Sequence, residues 1–121
     1  MKTPSPYAET LGVVRSAEGW RLAYAPALIG APERLHGGAI AGFLEVVAIT
    51  TLAEAAGEGA RLKPVSVTVD FLRAASLRDV WASAEITRLG RRVANIRATA
   101  WQDGPDKPVA TAHLNVVIAR E

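Results

Sequence analysis

One segment in the middle of the chain constrains the fold most, because it has the pattern of a helix that is apolar on nearly every side. From Gly37 onward, apolar residues recur at three- and four-residue spacing, and Gly57 and Gly59 mark the end of the pattern. The stripe consists of Ile40, Phe43, Leu44, Val47, Ala48, Thr51 and Leu52. The remaining face is also small or apolar, at Ala41, Gly42, Val46 and Ile49. Such a helix is normally buried on all sides, so other parts of the protein must enclose it.

The segments after this helix alternate apolar and polar residues, which is typical of half-buried strands. Four of them cover residues 65–71, 80–89, 94–100 and 110–118. Upstream, residues 11–16 and 20–25 form two strand-like runs, and residues 26–35 read as a loop with two prolines. This order predicts an α+β fold in which a curved antiparallel sheet, together with a second subunit, encloses the helix.

Composition excludes several classes of function. The 121 residues are 50% hydrophobic and 21% charged, with a formal net charge of +2 and no cysteine. This length fits one domain over residues 1–121, with an N-terminal tail over residues 1–10. The lack of cysteine excludes disulfides, thiolate zinc sites and cysteine nucleophiles. Two histidines without matching carboxylates predict no metal site, and scattered basic residues predict no nucleic-acid partner.

The location expected from the sequence is the cytoplasm. Residues 1–10 contain two prolines and no apolar run, so they do not have the pattern of a signal peptide. The longest apolar stretch, residues 39–56, is interrupted by Glu45 and Glu54, which argues against a membrane span. We therefore expect a soluble protein with no membrane partner.

The start of the helix carries the candidate chemistry. Gly37 and Gly38 allow close approach to backbone N–H donors at the positive end of the helix dipole, although a simple loop-to-helix junction would look the same. Glu45 has no Lys or Arg three or four residues away, so it is either a desolvated general base or nucleophile, or the partner of a distant arginine. Gly37 and Glu45 are separated by about 12 Å along a helix. If both act on one carbonyl, they must come from two subunits.

This segment resembles the hotdog-fold acyl-CoA thioesterases of the 4-hydroxybenzoyl-CoA thioesterase superfamily, particularly the phenylacetate-degradation type. In that family a His-Gly-Gly triplet precedes the central helix, and an acidic residue follows nine positions after the histidine. His36, Gly37, Gly38 and Glu45 match this pattern. Residues 67–75 resemble the strand after the helix, and residues 89–94 resemble the hairpin that follows. The likeness extends over residues 20–119.

The resemblance implies hydrolysis of a CoA thioester, with an aryl or medium-chain acyl group. The Gly37 amide would polarise the thioester carbonyl, and Glu45 of the opposite subunit would attack it or activate water. His36 would orient the loop or contact the thioester region, or act only as a structural hydrogen-bonding residue. The family also implies a homodimer assembled further into a homotetramer, and no cofactor, because coenzyme A is part of the substrate.

The remaining site residues are also implied by the resemblance. The substrate-binding candidates are Gly38, Arg91, Arg92, Arg73 and Ser66. The arginines would bind the CoA phosphates. Relatives often have a Ser or Thr near the carboxylate that orients the nucleophile, and the candidates for this role are Thr50 and Ser66. The chain departs from the family at Gly30, where many relatives have an asparagine six positions before the histidine.

Two alternatives remain open. One is a hotdog hydratase or dehydratase acting on acyl-CoA, although the glycine pair directly after His36 argues against it. The other is a protein that binds acyl-CoA without catalysis. Glu45 distinguishes these alternatives, because only the hydrolase requires its carboxylate for thioester cleavage.

Overall fold

The central helix forms where the sequence predicts it. The computed structural model describes residues 5–30 and 32–120. Helix α2 covers Gly37–Ala56, with His36 as its N-cap and Gly57 as its C-cap at φ 83°. Its buried side chains are Ile40, Phe43, Leu44, Val47, Ala48 and Leu52. The predicted stripe is confirmed except at Thr51, which is only half-buried. By length and composition alone α2 could cross a bilayer, but this apolar stripe is covered by the protein's own sheet.

Six antiparallel strands form one sheet. They are β1 (Val13–Ser16), β2 (Gly19–Leu22), β3 (Ala60–Phe71), β4 (Val80–Leu89), β5 (Val93–Trp101) and β6 (Pro108–Arg120). Their order in space is β1-β2-β4-β5-β6-β3, and a short 3₁₀ helix covers Pro26–Leu28. The predicted α+β architecture, a curved sheet around one long helix, is confirmed.

Alanines on the inner face of β5 and β6 allow α2 to lie close to the sheet. Ala98 and Ala112 are fully buried partners in adjacent strands, and Ile96 and Leu114 pair one step further along. Strand pairs of small residues leave room for the larger side chains of the helix, so the core forms between the helix stripe and this face.

The N-terminal segment differs from the predicted tail. Residues 1–4 lie outside the described part, but Pro6–Leu11 forms a helix, α1, which packs on α2. The Ser5 side chain accepts a hydrogen bond from the Ala8 N–H, and Gly12 ends the helix at φ 86°. These are ordinary capping signals, and burial of Ala8 and Leu11 adds the packing that a six-residue helix needs.

Strand β3 is an edge strand, and much of its apolar surface is uncovered. Val67 and Phe71 lie on the inner face, opposite buried residues of β6, yet they are 38% and 57% exposed. Val65, at a break in the register, is 63% exposed. The free edge of β3 therefore presents unpaired backbone groups next to apolar side chains, a combination that single soluble chains usually avoid.

Candidate functional site

His36 organises the amide groups at the start of α2. Its Nδ1 accepts a hydrogen bond of 2.9 Å from the Gly38 N–H, and its carbonyl accepts one of 3.0 Å from the Ala39 N–H. Its own N–H donates to the Leu28 carbonyl at 2.8 Å. In residues 5–30 and 32–120 the Gly37 N–H has no acceptor. Gly37 therefore presents the available donor, whereas the N–H of Gly38, a predicted substrate-binding residue, is engaged by His36.

The departure at Gly30 has a steric explanation. A Cβ built on Gly30 would lie 2.7 Å from the Cα of His36 and 2.8–2.9 Å from its side-chain carbons. Because one of these contacts is with backbone, no side-chain rotation could relieve it. His36 thus occupies the space that an asparagine would need, and residue 30 has no side chain that could hold a water molecule.

A cavity of about 330 Å³ lies at the start of α2. It is lined by Arg34, Leu35, Gly37, Ile40, Phe71, Leu72, Arg73, Ala74 and Ala75. The structure thus brings the predicted Arg73 to the same cavity as the predicted oxyanion donor. It also adds Arg34, which sequence reasoning missed, although its position two residues before His36 was a usable signal. Neither guanidinium forms an ion pair within the described residues.

Glu45 lies half-buried in α2 and has no hydrogen bond or ion pair with any described residue. The direction of its side chain follows from Glu54, nine residues later, which pairs with Arg15 of β1. Each helical residue is rotated by about 100°, so positions nine apart project from opposite sides of a helix. Glu45 therefore points away from the β1 edge of the sheet and toward the side where β3 lies.

Within one chain, Gly37 and Glu45 do not form a single site. They are separated by just over two helical turns, about 12 Å. A group that accepts a hydrogen bond from the Gly37 N–H is therefore out of reach of the Glu45 carboxylate in the same chain. If both groups act on one carbonyl, they must come from two chains, and this stays a prediction.

The structure places Arg91 and Arg92 at the other end of α2. They line a cavity of about 690 Å³ together with Arg120, whose guanidinium donates to the Ala56 carbonyl at 3.2 Å. Ala56 is the last residue of the helix, whereas Gly37 is the first, so these arginines are remote from Gly37 in the same chain. Arg120 is a third cation that sequence reasoning did not include.

Ser66 also lies away from the helix. Its Oγ accepts a hydrogen bond of 2.8 Å from Asn115, which in turn contacts Asn95 on the outer face of the sheet. The register break between Pro64 and Ser66 places it there, opposite Asn115 rather than opposite an inner-face residue. In one chain the structure does not bring Ser66 to Gly37 or Glu45. In the same described ranges, no group of three or more His, Asp or Glu side chains could hold a metal ion.

The comparisons with known proteins agree with this fold. The family model of the acyl-CoA thioesterase N-terminal domain matches residues 28–117, which is most of the chain. A comparison with curated protein sequences finds no match.

Solved structures of similar proteins cover almost the whole chain. A phenylacetic acid degradation-related protein of Ralstonia eutropha JMP134 is 28% identical with a TM-score of 0.85, covering 95% of this chain and 92% of that one. A Haemophilus influenzae thioesterase is 18% identical with a TM-score of 0.86, covering 94% and 82%. A Bacillus halodurans protein whose structure contains CoA is 15% identical with a TM-score of 0.83, covering 95% and 79%.

These likenesses confirm the hotdog fold implied by the sequence resemblance. The chain belongs to the acyl-CoA thioesterase family and is a thioester hydrolase.

Proposed function

We propose that the protein hydrolyses an acyl-CoA thioester at a site made by Gly37 of one subunit and Glu45 of its partner. The proposal depends on the Gly37 N–H, which has no acceptor among the described residues and belongs to a residue that lines a cavity at the positive end of α2. A preorganised donor of this kind stabilises the negative charge that develops on a carbonyl oxygen during acyl transfer.

In the proposed reaction, the Gly37 N–H and the Glu45 carboxylate have separate roles. The Gly37 N–H donates to the thioester oxygen as the carbonyl carbon is attacked. Glu45 takes a proton from the attacking water, or attacks the carbon itself to give an anhydride that water then opens. In both routes the carbon–sulfur bond breaks, the thiolate of CoA gains a proton, and a carboxylic acid is released. His36 supports the reaction by holding the Gly38 amide and the start of the helix in place.

The proposed dimer joins two copies of the chain along β3. Its support is the free edge of that strand, whose inner-face apolar side chains remain exposed in one chain. Pairing two β3 strands about a two-fold axis would satisfy the edge backbone groups and extend the sheet across both subunits. Glu45 points toward this side of α2, so the same pairing brings it toward the second chain. We propose that two such dimers assemble further into a homotetramer.

Two arginine groups are proposed for the CoA phosphates. Arg34 and Arg73 share the cavity of Gly37, and Arg91, Arg92 and Arg120 line the cavity at the opposite end of α2. Antiparallel pairing of two chains would bring Arg91, Arg92 and Arg120 of one chain toward Gly37 of the other.

We expect Arg73→Gln to raise KM for acyl-CoA with little change in kcat, because a phosphate contact contributes mainly to binding. An unchanged KM would show that Arg73 does not bind the CoA phosphates.

The test of the proposed function is release of free CoA thiol from a panel of acyl-CoA esters. This measurement separates hydrolysis from hydration and from binding alone. We expect Glu45→Gln to lower kcat by about 10²–10⁴-fold, the usual contribution of a general base.

Glu54→Gln is the matched control, because it removes a carboxylate from the same helix on the opposite side, where Glu54 pairs with Arg15. We expect its turnover to match that of the wild type. Wild-type turnover in Glu45→Gln, with folding intact, would contradict the proposed role of Glu45.

A further inference from the structure

The hydroxyl end of the Tyr7 ring lies against Gly42 on the outer face of α2. A Cβ built on Gly42 would lie 3.0 Å from Cε2 and 3.1 Å from Cζ of the tyrosine, and closer still to its hydroxyl. Glycine is therefore the residue that allows the tyrosine to approach the helix backbone at this point. This contact explains the glycine in the middle of a helix, where glycine otherwise costs about 1 kcal/mol relative to alanine.

The α1 helix holds Tyr7 in this position. Ala8 and Leu11 are buried on the side of α1 that faces the core, and Ser5 and Gly12 cap its two ends. Tyr7 itself is 49% exposed, and its hydroxyl has no hydrogen bond with the described residues. An aromatic ring is thus fixed at the surface of α2 without being needed to fill the core of this chain.

Gly42 and Glu45 are neighbours on the surface of the helix, because residues three apart lie side by side. If Glu45 acts on the thioester, the reacting carbonyl lies within about 3–3.5 Å of its carboxylate. The first atoms of the acyl group must then pass close to this turn of α2. The Tyr7 ring stands over the same turn, next to the path that the acyl group would take.

We propose that Tyr7 is a specificity-determining residue, whose ring forms the wall that limits the size of the acyl group beside Glu45. This inference rests on the proposed function and adds to it the element that selects the substrate. With the ring present, bulky acyl groups are excluded at the turn that contains Gly42. Without the ring, the space beside Gly42 is open to larger acyl groups.

The test compares kcat/KM for octanoyl-CoA and acetyl-CoA in matched variants. We expect Tyr7→Ala to raise the ratio of the two values about tenfold or more in favour of octanoyl-CoA, since a few methylene contacts in a pocket are worth that much. Tyr7→Phe keeps the ring and is expected to keep the wild-type ratio. Tyr24→Ala removes another partly exposed tyrosine, which lies just after β2, and is expected to leave the ratio unchanged.

Gly42→Ala provides a second test that does not depend on the folding of Tyr7→Ala. Gly42→Ala pushes the ring away from the helix, so it should shift the ratio in the same direction, and it should have no further effect when Tyr7 is already alanine. A ratio that stays at the wild-type value in both Tyr7→Ala and Gly42→Ala, while the wild type releases thiol, overturns this inference alone. A wild-type protein that releases no thiol from any ester overturns the proposed function instead.

Discussion

Replacing Gly37 by proline removes one N–H from the proposed site while leaving the fold almost unchanged. Gly37 is the first residue of α2, a position where proline is favoured because its missing N–H has no helical partner. His36 has ψ 132°, a conformation that a residue before proline adopts readily. A Cβ at position 37 would be 3.4 Å from the Phe71 ring, which is an ordinary contact. The free energy of unfolding should therefore change by less than about 1 kcal/mol.

The effect on catalysis should be much larger. Loss of one oxyanion donor typically costs about 10²–10³-fold in kcat, or roughly 3–4 kcal/mol of transition-state stabilisation. Gly37→Ala is the reference, because it adds a side chain at the same position but retains the N–H. The assay is thiol release from acyl-CoA, with thermal unfolding measured on the same samples. Equal kcat in the proline and alanine variants, both folded, would refute the role of this amide.

Three further predictions concern the surroundings of the site. Gly30→Ala should destabilise the protein by about 1–3 kcal/mol in denaturant unfolding, since its Cβ meets His36 backbone; wild-type stability would contradict that contact. Val65→Lys should weaken self-association at least about tenfold in analytical ultracentrifugation, because it places a charge on the free edge of β3; unchanged association would move the interface elsewhere. A hydrogen bond from the Arg78 side chain holds the pKa of Asp103 below its usual value. The pair therefore stabilises the folded state at pH values above the pKa of this carboxyl in the unfolded chain, and the stabilisation is lost as pH falls through its pKa in the folded protein. In Arg78→Ala the carboxyl should titrate at higher pH by NMR, and an unshifted titration would contradict the pairing.

Local pattern was sufficient to predict the elements that form the core. The spacing of apolar residues predicted α2 and its buried stripe, and period-two alternation predicted the four long strands. The capping glycine Gly57 marked the end of the helix correctly. These features depend on residues close in sequence, which is why a single sequence shows them.

Other features depend on long-range packing and could not be read in the same way. Nothing in the alternation of β3 shows that this strand pairs with β6 and becomes an edge. The register break before Ser66 is also invisible in the pattern, and it decides which face of the sheet carries that side chain. The separation of Arg91 and Arg73 into two cavities follows from the same topology.

The α1 helix is a different case, because its signals were present in the sequence. Ser5 and Pro6 fit an N-terminus, and Gly12 fits a C-terminus, but six residues carry too weak a periodicity for a prediction. Its position depends on long-range packing, with Ala8 and Leu11 buried against the core and Tyr7 in contact with Gly42.

Subunit mixing tests whether one active site takes its amide from one chain and its carboxylate from another. Gly37→Pro and Glu45→Gln are each inactive alone in this account, but a mixed dimer contains one site in which both groups are intact. Random reassociation of equal amounts should therefore restore about a quarter of wild-type turnover. If each chain used its own Gly37 and Glu45, every site in the mixture would lack one group. Turnover that stays at the level of the separate variants, with mixed dimers demonstrably formed, would contradict the account.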